Sequence, residues 1–220
     1  EMDFIVNRMP KPQNQHTLNS EMDQIPLNAR NKLQEGLDFH QKGKLQQAEQ
    51  AYQQALQYHP QNADAYHLLG VIAYQVGKHN VAIDLINQAI GIDNRKPTFF
   101  GNLGNILQEQ GRLEEAIQTY RSAIEINPEN ADIQNDLGNT LTEQGHFQQA
   151  VHAYHKVIEI NPNNPNAYYN LGNTLRELGQ LQQAIEAYDK ALTINPNDAE
   201  IYNNLGAALQ NHGQLHQAAR

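Results

Sequence analysis

Residues 165–198 read PNAYYNLGNTLRELGQLQQAIEAYDKALTINPND, and this stretch decides the fold. Tyr168, Leu171, Gly172 and Leu175 stand at offsets of three, four and seven, which puts them on one face of a helix. After Gly179 a second set, Leu181, Ala184, Ile185, Tyr188, Ala191 and Leu192, again has helical spacing. Glycine can end the first helix in a left-handed conformation. Pro196 cannot sit in a helix interior, so the second helix stops before it. The stretch is therefore one pair of amphipathic helices. Gly172 and Ala184 are small enough for the pair to approach closely, with Tyr188 filling the space beside them.

The same 34-residue pattern extends in both directions. Units cover 29–62, 63–96, 97–130, 131–164 and 165–198, with a truncated sixth over 199–220 and a non-repeat extension over 1–28. Each unit end carries Pro60, Asn94, Pro128, Pro162 or Pro196. Two glycine series run in step: Gly36, Gly70, Gly104, Gly138, Gly172 and Gly206, then Gly43, Gly77, Gly111, Gly145, Gly179 and Gly213. Asn62, Asn130, Asn164 and Asp198 stand where an N-cap is wanted. Pro97 and Pro165 take the first helical position, where a missing N–H costs little. A fixed period of this kind means an all-α solenoid of antiparallel helix pairs, in which each unit buries its core against its neighbours.

Composition narrows the partner. A net charge of -9 argues against a nucleic-acid backbone, and no basic cluster suits a membrane surface. No apolar run approaches the ~18 residues of a membrane span. Without cysteine there is no disulfide framework or thiolate metal site, and the compartment stays open, with the cytoplasm favoured. The chain starts at Glu1 and stops at Arg220 inside an expected helix, so it reads as a fragment of a longer protein.

Tyr168, Leu171-Gly172, Ala184, Tyr188, Ala191 and Pro196 resemble the tetratricopeptide repeat pattern, and the unit length agrees. The resemblance covers residues 29–220 without an insertion. The second unit departs most, with Ala73, Ile86 and Asn94 where a larger residue, an aromatic and a proline are usual. The resemblance implies a right-handed superhelix whose first helices line a concave groove.

Numbering each unit 1 to 34, positions 2, 5, 6, 9, 12 and 13 fall opposite the core face of the first helix at about 100° per residue. Position 6 supplies Asn102, Asp136, Asn170 and Asn204; position 9 supplies Asn105, Asn139 and Asn173; position 5 adds Asn135, Tyr169 and Asn203. Asparagine is a poor helix former, so a mid-helix file needs a reason. One reading is a ladder of amides that binds the donors and acceptors of an extended polypeptide. The other is that the amides bond to neighbouring units and set the superhelical twist, or are simply solvated. The file resembles that of the superhelical domain of O-GlcNAc transferases, where repeated asparagines hold an extended polypeptide. The carboxylate-clamp subfamily uses groove lysines and arginines, and position 5 has no lysine here.

The groove is expected to be acidic. Asp64, Glu109, Asp132, Glu143, Glu177 and Glu200 face Arg30 and Arg176, so the partner is read as neutral to basic. The first two units differ, with an apolar strip of Leu33, Leu37, Leu68 and Val71 at groove positions. The segment Met2, Phe4, Ile5 and Val6 is one candidate to cover it, in the same chain or a second copy; an extra capping helix or a tail is the alternative.

His152 and His155, with His146 nearby, are spaced for a metal but lack a completing ligand, and His212 and His216 straddle Gly213. No phosphate loop, nucleophile elbow or catalytic constellation is present, so no cofactor or metal is expected and the chain is not read as an enzyme. The expected function is a protein-interaction module that binds an extended polypeptide. The alternatives are a self-assembling scaffold, through the N-terminal segment or the cut C-terminal end, and the substrate-recruiting arm of an enzyme such as a glycosyltransferase. At that end Leu205, Leu209 and Leu215 are expected to lack part of their cover, and a second helix is expected to start after Gly213.

Overall fold

The computed structural model describes residues 26–218, with side chains through residue 213. The N-terminal segment with Phe4, and the side chain of Leu215, lie outside the described residues. Eleven helices occupy the described chain: α1 Leu27–Gln41, α2 Leu45–Tyr58, α3 Ala63–Gln75, α4 His79–Ile92, α5 Pro97–Glu109, α6 Leu113–Ile126, α7 Ala131–Glu143, α8 Phe147–Ile160, α9 Pro165–Glu177, α10 Leu181–Ile194 and α11 Ala199–Ala218. The fold is all-α. It divides into two compact units at Ile106 and Leu107, within α5.

In the first unit α1 packs on α2, α2 on α3, and α3 on α4. In the second, α6 packs on α7, α7 on α8, α8 on α9, α9 on α10, and α10 on α11. First helices also touch one another, α7 with α9 and α9 with α11. That contact lines up the faces opposite the core.

The turn inside each pair has one chemistry. Gly43, Gly77, Gly111, Gly145 and Gly179 all have φ between 69° and 79°, which strains any residue with a Cβ. At Gly179 its N–H bonds the Arg176 carbonyl at 2.9 Å, and the Gln180 N–H bonds the Leu175 carbonyl at 2.9 Å. These two bonds form a Schellman cap, which satisfies carbonyls that the helix end leaves open. Between pairs, the Asn62, Asn130, Asn164 and Asp198 side chains accept backbone N–H bonds from the following turn.

The other glycine series makes room. A Cβ on Gly138 would lie 2.6 Å from Tyr154 Cε1, and one on Gly172 would lie 2.6 Å from Tyr188 Cε1. Tyr52, Tyr120, Tyr154 and Tyr188 are fully buried beneath the pairs. In the second unit of the repeat, Ile86 takes the tyrosine's place against Gly70 and is also fully buried.

One expectation needs correction. Gly213 does not turn the chain; α11 runs through it to Ala218. A Cβ on Gly206 would meet nothing within 4 Å, so among the described residues no second helix is packed there to reward a turn. Continuing the helix instead adds one backbone bond per residue. Leu209 is left 51% exposed.

Candidate functional site

The second unit carries the denser cluster of amides. α7, α9 and α11 bring the position-5, position-6 and position-9 side chains into contact. Asn170 Nδ2 donates to Asn139 Oδ1 at 3.1 Å and to Asn135 Oδ1 at 3.4 Å. One repeat on, Asn204 Nδ2 donates to Asn173 Oδ1 at 3.4 Å and to the Tyr169 hydroxyl at 2.9 Å. The core tyrosines join from below. Tyr154 Oη donates to Asn139 Oδ1 at 2.9 Å, and Tyr188 Oη to Asn173 Oδ1 at 2.7 Å. Burial pushes both phenols up to about 12, so they remain protonated donors across the physiological range.

Beside Asn173 and Asn204 lies an open depression of about 550 Å³, lined by these two and by Thr142, Phe147, Tyr169, Arg176, Glu177 and Glu200. Arg176 Nη1 donates to Asn204 Oδ1 at 3.2 Å and Nη2 to Glu177 at 3.3 Å. Tyr169 donates to Glu200 at 2.5 Å. Burial first, and then the Glu200 carboxylate, raises the Tyr169 phenol above its ordinary value. Within this depression one cation faces two carboxylates.

Other expected site residues are placed differently. Asp136 is only 7% exposed, so little of it reaches a ligand; Asn203 is exposed and Asn105 half-exposed. In the first unit, Asn102 shares a 2.8 Å hydrogen bond with His67 Nε2, whose ring stacks on Phe99 at a centroid distance of 4.5 Å. Leu68 and Val71 of the expected apolar strip are buried, at 7% and 4% exposure. Leu33 and Leu37 are half-buried against the cluster that holds Leu68. The open part of that strip is thus small.

Sequence reasoning gave Tyr188 a packing role alone and missed the hydroxyls of Tyr154 and Tyr188. The signal was present: these are tyrosines rather than phenylalanines, each on the second helix of a pair whose first helix carries an asparagine at position 9. It also missed Phe147, which opens α8. No group of three or more His, Asp or Glu is placed to hold a metal among the described residues. None of their helices is long and apolar enough to cross a membrane.

Fold and face define a helix-pair repeat protein that serves as a protein-interaction module. The chain belongs to the tetratricopeptide repeat family. Family profiles described as TPR repeat match residues 36–77, 104–145, 138–176 and 172–213, and one described as tetratricopeptide repeat matches 63–96. Among solved structures, MamA superposes with a TM-score of 0.70 at 25% identity, covering 79% of this chain and 94% of that one. YrrB, described as a TPR protein with an unusual peptide-binding site, gives 0.70 at 22% identity, covering 86% and 97%. PilF of Pseudomonas aeruginosa gives 0.69 at 23% identity, covering 86% and 92%. The last two likenesses are of fold alone. No curated protein matches the sequence.

Proposed function

We propose that the second unit binds an extended polypeptide on the face formed by α7, α9 and α11, through Asn135, Asn139, Asn170, Asn173 and Asn204. The observation that carries this reading is the joining of these amides, across repeats, into files on an open face at 3.1 to 3.4 Å. The bonds between repeats account for part of each amide's capacity, as a purely structural role would. They do not account for all of it, because an amide has two donors and two acceptor lone pairs. Glu143, Glu177 and Glu200 around the face favour a neutral or basic chain. Replacing Asn139 and Asn173 together with alanine is expected to weaken binding of such a peptide by about 1 kcal/mol per amide, with helicity retained. Titration calorimetry with circular dichroism checks this; unchanged affinity at unchanged helicity rules the reading out.

A second reading rests on α11. Tyr202 and Leu209 are 53% and 51% exposed, and Gly206 faces open space, a surface that suits a further helix from a second copy. Light scattering against concentration separates the two. Growth in mass that Leu209→Glu abolishes supports self-assembly, and a concentration-independent monomer excludes it.

A further inference from the structure

The face is not neutral between the two ends of an amide. Asn139 Oδ1 receives two donors, the Tyr154 hydroxyl at 2.9 Å and Asn170 Nδ2 at 3.1 Å, which fill its two lone pairs. Asn173 Oδ1 likewise receives Tyr188 Oη at 2.7 Å and Asn204 Nδ2 at 3.4 Å. A separation of 2.7 Å sits at the mode for O–H···O and at the short limit for N–H···O. Turning the amide over would also set Asn139 Nδ2 against Asn170 Nδ2, donor to donor. Thr142 does not compete for the tyrosine proton on equal terms, since its own hydroxyl is 3.3 Å from Tyr154 Oη and donates to the Gly138 carbonyl at 2.9 Å.

With the oxygens committed, the nitrogens are what remain. The buried side-chain polar atoms without a partner among the described residues are Asn62 Nδ2, His79 Nδ1 and Gln144 Oε1. Asn139 Nδ2 is not one of these and has no protein acceptor among the described residues, so it faces water. The Asn173 amide also reaches the Tyr169 phenol, and its nitrogen still has a second N–H to offer. Asn170 is the exception: its nitrogen is spent on Asn135 and Asn139, and its side-chain oxygen has no donor among the described residues.

We infer that Tyr154 and Tyr188 are positioning residues which lock Asn139 and Asn173 nitrogen-outward, so that at these two steps the face reads the carbonyl oxygens of an extended main chain and not its N–H groups. The inference rests on the polypeptide-binding reading above and deepens it: the ligand class includes chains rich in proline or otherwise N-substituted, which keep every carbonyl. Side-chain identity matters little at these steps, because only the main-chain acceptor is touched.

Two synthetic probes separate the possibilities: a ten-residue glycine oligomer and a ten-residue sarcosine (N-methylglycine) oligomer, each flanked by serines and carrying the same fluorophore. Both have the same carbonyls, but sarcosine has no N–H. Anisotropy titrations are expected to place sarcosine within about tenfold of glycine, the difference reflecting the single acceptor at Asn170. Asn139→Asp keeps the acceptor for Tyr154 and Asn170 but puts an oxygen outward; it is expected to weaken both oligomers by about tenfold or more. In the free protein, Tyr154→Phe and Tyr188→Phe are expected to shift the side-chain NH2 resonances of Asn139 and Asn173 and to raise the preference for glycine, changes that a purely packing tyrosine would not produce.

Glycine binding with sarcosine excluded by more than about a hundredfold would overturn the inference. So would unmoved resonances in a folded phenylalanine variant, which leaves the polypeptide-binding reading standing. If neither oligomer binds at millimolar concentration, that reading falls and takes this inference with it. Should the phenylalanine variants not fold, the aspartate variant decides: undiminished sarcosine binding to it overturns the inference.

Discussion

His67 shows what one side chain does in the first unit. Its ring stacks on Phe99, shares a hydrogen bond with Asn102, and lies near the Asp64–Lys96 ion pair, whose atoms are 2.6 Å apart. Burial pushes its pKa down to about 4; Asp64 partly opposes that and Lys96 adds to it. The unfolded chain therefore takes up a proton before the folded one does. Stability from this group is complete above the ordinary histidine pKa of 6.5 and is lost as pH falls toward 4. Between pH 7 and 5 the loss is at most about 2 kcal/mol, and less where water reaches the ring. His40 is shifted the same way by burial. Urea melts at the two pH values are expected to show a smaller pH-dependent loss for His67→Gln than for the parent. An unchanged loss would remove His67 as its source. None of this was legible at position 5, where the histidine reads as one more groove residue. Its depressed pKa comes from burial, and two of the residues packed on it, Phe99 and Asn102 of α5, lie more than thirty residues along the chain, where no helical wheel brings them together.

At the scale of the element, the repeat made the helix pairs plain. Glycine turns close all five pairs from α1 to α10, with asparagine caps at α3, α7 and α9 and core tyrosines in every pair but α3–α4, so local and tertiary preferences point the same way. α11 departs because Gly213 encodes a turn only where a second helix packs beneath the first. The two glycine environments predict opposite outcomes for one substitution. Gly172→Ala sets a Cβ 2.6 Å from the Tyr188 ring and is expected to cost about 1–3 kcal/mol. Gly206→Ala meets nothing within 4 Å and is expected to stabilise α11 by about 0.5–1 kcal/mol. Thermal melts of the two variants test this; destabilisation by Gly206→Ala would show that a partner helix occupies that space. The same limit explains the apolar strip. A wheel drawn for one helix turns positions 6 and 9 away from its own pair, yet α1, α2 and α3 share one core, and Leu68 is buried within it.

For the whole chain, charge and repetition set the behaviour toward a partner. The net charge of -9 and the carboxylates around the amide face predict faster association with a basic peptide than with an acidic one of equal length. The basic peptide's on-rate is expected to fall as salt rises from 0.01 to 0.15 M, as the screening length shortens from about 30 to 8 Å. Stopped-flow measurements decide it, and a faster acidic peptide at low salt would contradict the charge argument. The joints between repeats have a further implication. Asn170 meets Asn139, and Asn204 meets Asn173, each pair 31 residues apart and made by the same atoms. A duplicated copy of 165–198 would carry its own half of each joint, so its insertion would break none and create one more. On the polypeptide-binding reading, the length of main chain that the face grips would then grow by recombination in whole units, like the marks added to a ruler, without any residue having to change.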